Sequence, residues 1–214
     1  MVGSIRLAKT ERRPTYMILS DVDIRRYIES GLIKIEPALD LETQLGPCSV
    51  DLRLGSEFKV FEYSRWPYID VRQPFDPEEI MRTVVVPEDG VFIMQPGELV
   101  LATTIESITL PNNLLGRLEG RSSLGRLGII VHGTAPRFDP GWSGRAVMEL
   151  GNIGRIPVGL RPGMRICSMT FEELSSPAER PYGSRPIHKY AGQQGPLGSL
   201  LSMEADESQT PDRR

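Results

Sequence analysis

The densest chemistry-bearing stretch lies between Gly120 and Glu149. Gly120-Arg121-Ser122-Ser123-Leu124-Gly125-Arg126 brings two guanidinium groups, two hydroxyls and Gly-flanked backbone N–H groups together. Successive N–H groups in such a turn form an anion-binding concavity, and Arg adds bidentate, always-charged contacts to phosphate. The same turn read alone also serves as a solvated basic loop. Asp139, ahead of Pro140-Gly141-Trp142, suits a turn. A carboxylate beside an aromatic ring also suits a sugar hydroxyl packed on a flat face. Glu149 is the most unusual single residue, because it interrupts the apolar run Ala146-Val147-Met148-Glu149-Leu150. Buried there, its carboxylate would titrate nearer neutrality and serve as a general acid and base. Strand alternation alone would turn it outward. His132 follows a strand and reads first as a satisfied structural histidine. His188 lies in a polar segment and reads as solvated. That segment also carries Tyr182, Lys189, Tyr190, Gln193 and Gln194 among Gly and Pro, a composition suited to an arm folding over a ligand or to a plain surface tail.

These residues need a scaffold, and composition restricts which. The 214 residues include 21 Gly and 18 Pro, both enriched over average usage. That excludes long helices and coiled coils. Ser20 as N-cap, Asp23 at the capping-box position, a Leu19–Ile24 staple and Gly31 as terminator predict one helix over 20–31. Its face of Ile24, Tyr27 and Ile28 would cover the core. Short strand-like runs follow at 49–54, 58–61, 84–86, 99–104, 128–131, 146–150 and 166–171, separated by Pro-Gly, Asp-Gly and Pro-Asn-Asn turns. Residues 120–127 can form one short helical turn. This pattern predicts an all-β barrel or jelly-roll-like fold with one N-terminal helix and short helical turns. Residues 1–16 read as a loose extension, 17–202 as a single domain including a C-terminal arm over 175–202, and 203–214 as a disordered tail.

Several classes drop out. The net charge of −3 is not that of a general nucleic-acid binder. Two Cys and two His exclude a disulfide scaffold and leave little for a Cys/His zinc site. Cys48 and Cys167 read as reduced thiols of a cytoplasmic protein. No apolar run approaches the roughly 20 residues of a membrane span, and residues 1–16 lack a signal-peptide core.

The chain resembles the dCTP deaminase family, within the trimeric dUTP diphosphatase superfamily. The resemblance is carried by Ser49-Val50-Asp51-Leu52-Arg53-Leu54-Gly55, by Gly120 to Gly128, and by Thr134-Ala135-Pro136-Arg137-Phe138-Asp139-Pro140-Gly141-Trp142-Ser143-Gly144. Glu149, Leu160-Arg161-Pro162-Gly163-Met164 and Lys189-Tyr190-Ala191-Gly192-Gln193-Gln194-Gly195 follow in order. It implies a distorted β-barrel, a homotrimer with sites between subunits, and Mg2+ riding on the triphosphate of dCTP. By motif position Glu149 is the catalytic acid and base, with Ser122 and Arg126 positioning water and stabilising charge. Arg121 and Ser123, with Tyr182, Lys189 and Gln193 of the arm, match triphosphate ligands, and Leu124 and Gly125 match neighbouring substrate-binding positions. Asp139 matches the deoxyribose contact, and Ala135, Arg137, Val147 and Met148 line the base pocket. dTTP is the implied inhibitor.

The family makes either dUTP or, in bifunctional members, dUMP and pyrophosphate. Arg137, Trp142 and Ser168 are similar to the dUTP-forming pattern, while Gly133 and Pro136 depart from it. A pure dUTP diphosphatase and a non-catalytic nucleotide-binding trimer are the other readings. The H-x-E…P-C-x-x-C signature of zinc deaminases is missing, since His132 precedes Gly133-Thr134 and Pro47-Cys48 precede Ser49-Val50-Asp51. Deamination by this chain would then run without zinc.

Overall fold

Ser20 starts the first helix as the capping pattern requires. Its hydroxyl accepts from the Asp23 N–H at 3.4 Å, α1 runs Asp21–Glu29, and Gly31 leaves the helix at φ +73°. Leu19 and Ile24, the two staple residues, are both buried. The computed structural model describes residues 17–62, 67–71, 73 and 75–201, so the predicted extension over 1–16 and the tail over 203–214 lie outside the described residues.

The remaining elements are short. They are β1 (Lys34–Glu36), α2 (Leu41–Gln44), β2 (Val50–Phe61), α3 (Pro77–Ile80), β3 (Met81–Val85), β4 (Phe92–Met94) and β5 (Leu99–Thr109). Then come β6 (Leu114–Gly120), α4 (Ser122–Gly125), β7 (Ile129–Ile130), β8 (Arg137–Phe138), β9 (Ser143–Asn152), β10 (Val158–Leu160) and β11 (Arg165–Glu173). One nine-stranded sheet runs β7-β9-β5-β2-β11-β6-β8, with β1 added on β5 and β3 on β2. β10 and β4 form a separate pair, and every pairing is antiparallel. The sheet curls into a half-barrel.

The curl has a local cause. Register shifts fall between Leu54 and Phe58, between Thr103 and Ser107, and between Arg165 and Cys167. Bulges bend a strand and raise its twist. Gly55 sits at one of them, where an added Cβ would stand 3.0 Å from the Thr103 carbonyl oxygen. Inside the curl, Leu52, Leu54, Phe58, Val100, Ala102, Met148, Leu150, Met169 and Phe171 are all buried. Strand alternation therefore leaves Phe61, Leu99, Leu101, Val147 and Glu149 on the opposite face, where the cavity described next is built.

Candidate active site

Glu149 stands in β9 between Met148 and Leu150, two residues that are fully buried. It is half-buried and faces a cavity of about 540 Å³. The outward-facing strand residue and the candidate acid and base are thus the same side chain. The loop over 131–133 holds it twice. The Glu149 N–H donates to the Val131 carbonyl at 3.1 Å, and the Gly133 N–H donates to Glu149 Oε2 at 2.8 Å. A Cβ on Gly133 would lie 2.9 Å from that oxygen, so the present carboxylate position needs Gly133 to have no side chain. Among the described residues no hydrogen bond occupies Oε1.

Ala135, Arg137, Asp139, Val147, Tyr182 and Gln193 line the same cavity. Met148 does not: its side chain is in the core, because the β9 alternation that aims Val147 and Glu149 at the cavity turns the residue between them inward. Arg137 Nε and Asp139 Oδ1 pair at 2.8 Å, so the candidate sugar carboxylate is already held in place by the neighbouring guanidinium. Trp142 is buried beside them, edge-on to Phe138 at 5.0 Å between ring centroids and tilted against Tyr182 at 5.4 Å.

The arm closes one side of this cavity. The Tyr182 N–H donates to the Pro140 carbonyl at 2.7 Å, and the Gly192 N–H donates to the Ser143 carbonyl at 2.8 Å. The Arg145 N–H donates to the Gln193 carbonyl at 2.9 Å, and Gln193 Nε2 returns a bond to the Arg145 carbonyl at 3.2 Å. Two tyrosine hydroxyls then organise the arm itself. Tyr182 accepts from the Tyr190 N–H at 3.2 Å, and Tyr190 accepts from the Leu200 N–H at 3.0 Å. His188 stacks on Tyr182 with centroids 4.6 Å apart, and its Nδ1 accepts from the Gly183 N–H at 2.8 Å. The expectation of a merely solvated His188 is therefore corrected: an arm with few apolar residues uses its rings as internal struts. Lys189 borders a smaller adjoining hollow with Tyr182 and Tyr190. His132, expected to be satisfied, has a buried Nδ1 with no hydrogen-bond partner among the described residues.

The Gly120–Arg126 turn is elsewhere. Ser122, Ser123, Gly125 and Arg126 lie exposed on α4 and at its C-cap, and Leu124 is buried beneath them. None of Arg121 to Arg126 lines the cavity that holds Glu149. Arg121 is directed by Asp51, with Nε 3.4 Å from Oδ2, and its Nη1 donates to the Arg165 carbonyl at 2.9 Å. The structure therefore brings Ala135, Arg137, Asp139, Val147, Tyr182 and Gln193 together with Glu149 within one chain and leaves the Gly120–Arg126 turn on a separate surface. Two polar features escaped the sequence reading. Glu106, fully buried, accepts from the Arg53 N–H at 2.8 Å, Arg53 Nε at 2.7 Å and Gln44 Nε2 at 3.1 Å. Lys59 is buried on the cavity face of β2. Both interrupt strand runs, which was the available signal.

The curled antiparallel sheet thus carries on its outer face a mostly apolar cavity with Glu149, Arg137 and Asp139 in its lining. A family model described as dCTP deaminase-like matches residues 18–174, and this chain belongs to that family. A dCTP deaminase of Thermomicrobium roseum is 60% identical over 188 residues, spanning 88% of this chain and 95% of that protein. A protein of Methanothermobacter thermautotrophicus named "dCTP deaminase, dUMP-forming" is 56% identical over 186 residues, spanning 86% of this chain and 93% of its own. The crystal structure of the 2'-deoxycytidine 5'-triphosphate deaminase of Agrobacterium tumefaciens superimposes with a TM-score of 0.58 at 24% identity. That match covers 74% of this chain and 49% of the other, so the chain spans about half the length of that structure, and the likeness concerns the fold.

Proposed function

We propose that this protein is a dCTP deaminase that converts dCTP and water to dUTP and ammonia. The observation that carries the reading is Glu149. Its Oε2 is anchored by the Gly133 N–H, its Oε1 carries no hydrogen bond among the described residues, and it lines a cavity with Asp139, Val147 and Trp142. In this reading the cytosine ring enters with C4 toward Glu149. Glu149 takes a proton from water as the water oxygen adds to C4. It passes that proton to N3, then takes the remaining proton from the new C4 hydroxyl and delivers it to the amino group, so that the C4 carbonyl forms as the C4–N4 bond breaks and ammonia leaves. Acid–base help of this kind contributes roughly 10²–10⁴-fold. Asp139, steadied by Arg137, accepts from the sugar hydroxyl, and the arm residues Tyr182, Lys189 and Gln193 meet the phosphates. The family membership supports this substrate.

Ser122 and Arg126 complete the chemistry from a second copy of the chain. This is supported by their absence from the Glu149 cavity and by their exposure. Apolar residues exposed near that turn, Leu127, Ile153 and Ile156, suit burial between copies. The homotrimer follows from the same reading. Magnesium enters as part of the substrate, held by the triphosphate. Zinc-independent hydrolysis rests on the missing zinc signature. A cytoplasmic location rests on two unpaired cysteines. Among the described residues no helix is long and apolar enough to cross a membrane.

A second reading is cleavage onward to dUMP and pyrophosphate, since relatives at 50% and 56% identity are named dUMP-forming. Incubation with dCTP and Mg2+, scored for ammonia, dUTP, dUMP and pyrophosphate, separates the two. Ammonia with dUTP is expected. Ammonia with dUMP and pyrophosphate means the bifunctional reaction, and no ammonia overturns the deaminase reading.

A further inference from the structure

We propose that Lys59 is a positioning residue for the nucleotide site: through Glu78 it fixes α3 against the C-terminal arm and so sets the apolar wall of the cavity. The inference rests on the functional reading above. Among the described residues Lys59 is the one buried basic side chain, with its side chain 7% exposed. It pairs opposite Leu101 of β5, and Leu101 pairs opposite Glu149 of β9. Directly paired residues share a face of the sheet, so Lys59, Leu101 and Glu149 form one row on the cavity side. Leu101 and Glu149 line the cavity. Lys59 is instead roofed over, and its Nζ pairs with the Glu78 carboxylate of α3.

The roof is itself part of the site. Asp76 caps α3 by accepting from the Glu78 N–H at 2.9 Å, which places the Glu78 side chain on the first turn. Ile80, at the end of α3, and Met81, which follows, both line the cavity. Pro77, at the start of α3, abuts Gly198 of the arm so closely that a Cβ on Gly198 would overlap the Pro77 ring. Gly195 of the arm lies over Glu57, which shares its β2 face with Lys59. The ion pair therefore sits beneath the seam where α3 and the arm meet.

An apolar residue would fill the Lys59 site without the desolvation cost of a buried cation. What the charge adds is a single preferred position for α3. A shifted α3 moves Ile80 and Met81 and releases Gly198. Substrate binding then weakens before chemistry does, because Glu149 is held by the separate loop over 131–133.

Four variants test this: Lys59→Met, Glu78→Gln, Lys59→Arg and Gly198→Ala. Glu78 is 61% exposed, so Glu78→Gln tests the pair even if Lys59→Met folds poorly. Readouts are KM and kcat with dCTP and Mg2+, thermal midpoint, and hydrogen exchange of the Leu200 amide, which the closed arm ties to Tyr190. Lys59→Met and Glu78→Gln should raise KM about tenfold with kcat held within about twofold. They should also speed Leu200 exchange by about tenfold, and Lys59→Arg should restore both. Gly198→Ala should reproduce the KM increase without touching a charge. A lowered thermal midpoint with KM and Leu200 exchange unchanged would overturn the proposal, as would an Arg variant no better than Met. If the wild-type protein releases no ammonia from dCTP, the functional reading fails by itself, and Leu200 exchange alone decides whether the pair fixes the arm.

Discussion

Replacing Gly144 by Ala isolates the contribution of the arm. Gly144 lies in β9 at φ +141°, a region that L side chains rarely adopt. Its absent Cβ would stand 2.7 Å from the Gln193 carbonyl oxygen and 3.1 Å from the Gln193 nitrogen, where ordinary contact begins at 3.4 Å. The arm must therefore recoil by about 0.7 Å at Gln193, more than a hydrogen bond tolerates without weakening. Three bonds converge there: Arg145 N–H to Gln193 O at 2.9 Å, Gly192 N–H to Ser143 O at 2.8 Å, and Gln193 Nε2 to Arg145 O at 3.2 Å. Each nets about 0.5–1.5 kcal/mol, so losing two costs about 2 kcal/mol of arm docking. That amounts to roughly 30-fold in affinity for a ligand the arm must cover. Steady-state ammonia release from dCTP with Mg2+ should show KM raised about 30-fold, with kcat changed less than about threefold. The loop that holds Glu149 through Val131 and Gly133 is untouched, so kcat is kept. A KM within about twofold of wild type would refute the reasoning, because it would mean the arm docks without contributing to binding.

Two other predictions concern side chains away from the site. The Tyr27 hydroxyl donates to Glu173 Oε1 at 2.6 Å, and that bond, with burial and the carboxylate's charge, raises the phenol above its usual 10.0. The folded protein keeps this proton longer than the unfolded chain, so the stabilisation is present below pH 10 and is lost as pH rises through the folded value. Tyr27→Phe should cost about 1 kcal/mol in denaturant unfolding at pH 7 and progressively less above pH 10; a pH-independent difference would contradict the assignment. Cys167 is fully buried, and burial pushes its thiol far above the usual range, whereas Cys48 is exposed. Iodoacetamide at pH 8 should label Cys48 alone in the native protein and Cys167 only after unfolding; equal labelling rates would contradict the packing.

Much of this architecture was legible because its signals are local. Ser20, Asp23 and Gly31 specify α1 by capping chemistry, and the structure starts and stops the helix there. The strand runs around Leu101, Met148 and Met169 were readable from apolar and β-branched content. The runs at 49–54 and 58–61 turned out to be one strand, because a bulge carries β2 through Gly55-Ser56-Glu57 without ending it. β6 was missed, since Gly116 and Gly120 look like breakers. In the fold Gly116 is the residue that admits Met169 and Leu110, whose atoms would meet its Cβ at 3.0 and 3.1 Å. At the site, the alternation that exposes Glu149 to the cavity also shows why Met148 could not line it. What the sequence could not reveal was non-local. The Lys59–Glu78 pair spans a segment with no strand pattern, and the Glu106 network joins residues from α2, β2 and β5. The separation of Ser122 and Arg126 from Glu149 depends on how the sheet curls.

The central claim is that Glu149 moves the protons of deamination. Glu149→Gln keeps the shape and the oxygen that accepts from Gly133 but cannot take a proton from water. With dCTP and Mg2+ this variant should bind dCTP with a Kd within about threefold of wild type and release ammonia at least about 10²-fold more slowly. Ammonia release near the wild-type rate, with binding intact, would contradict the account.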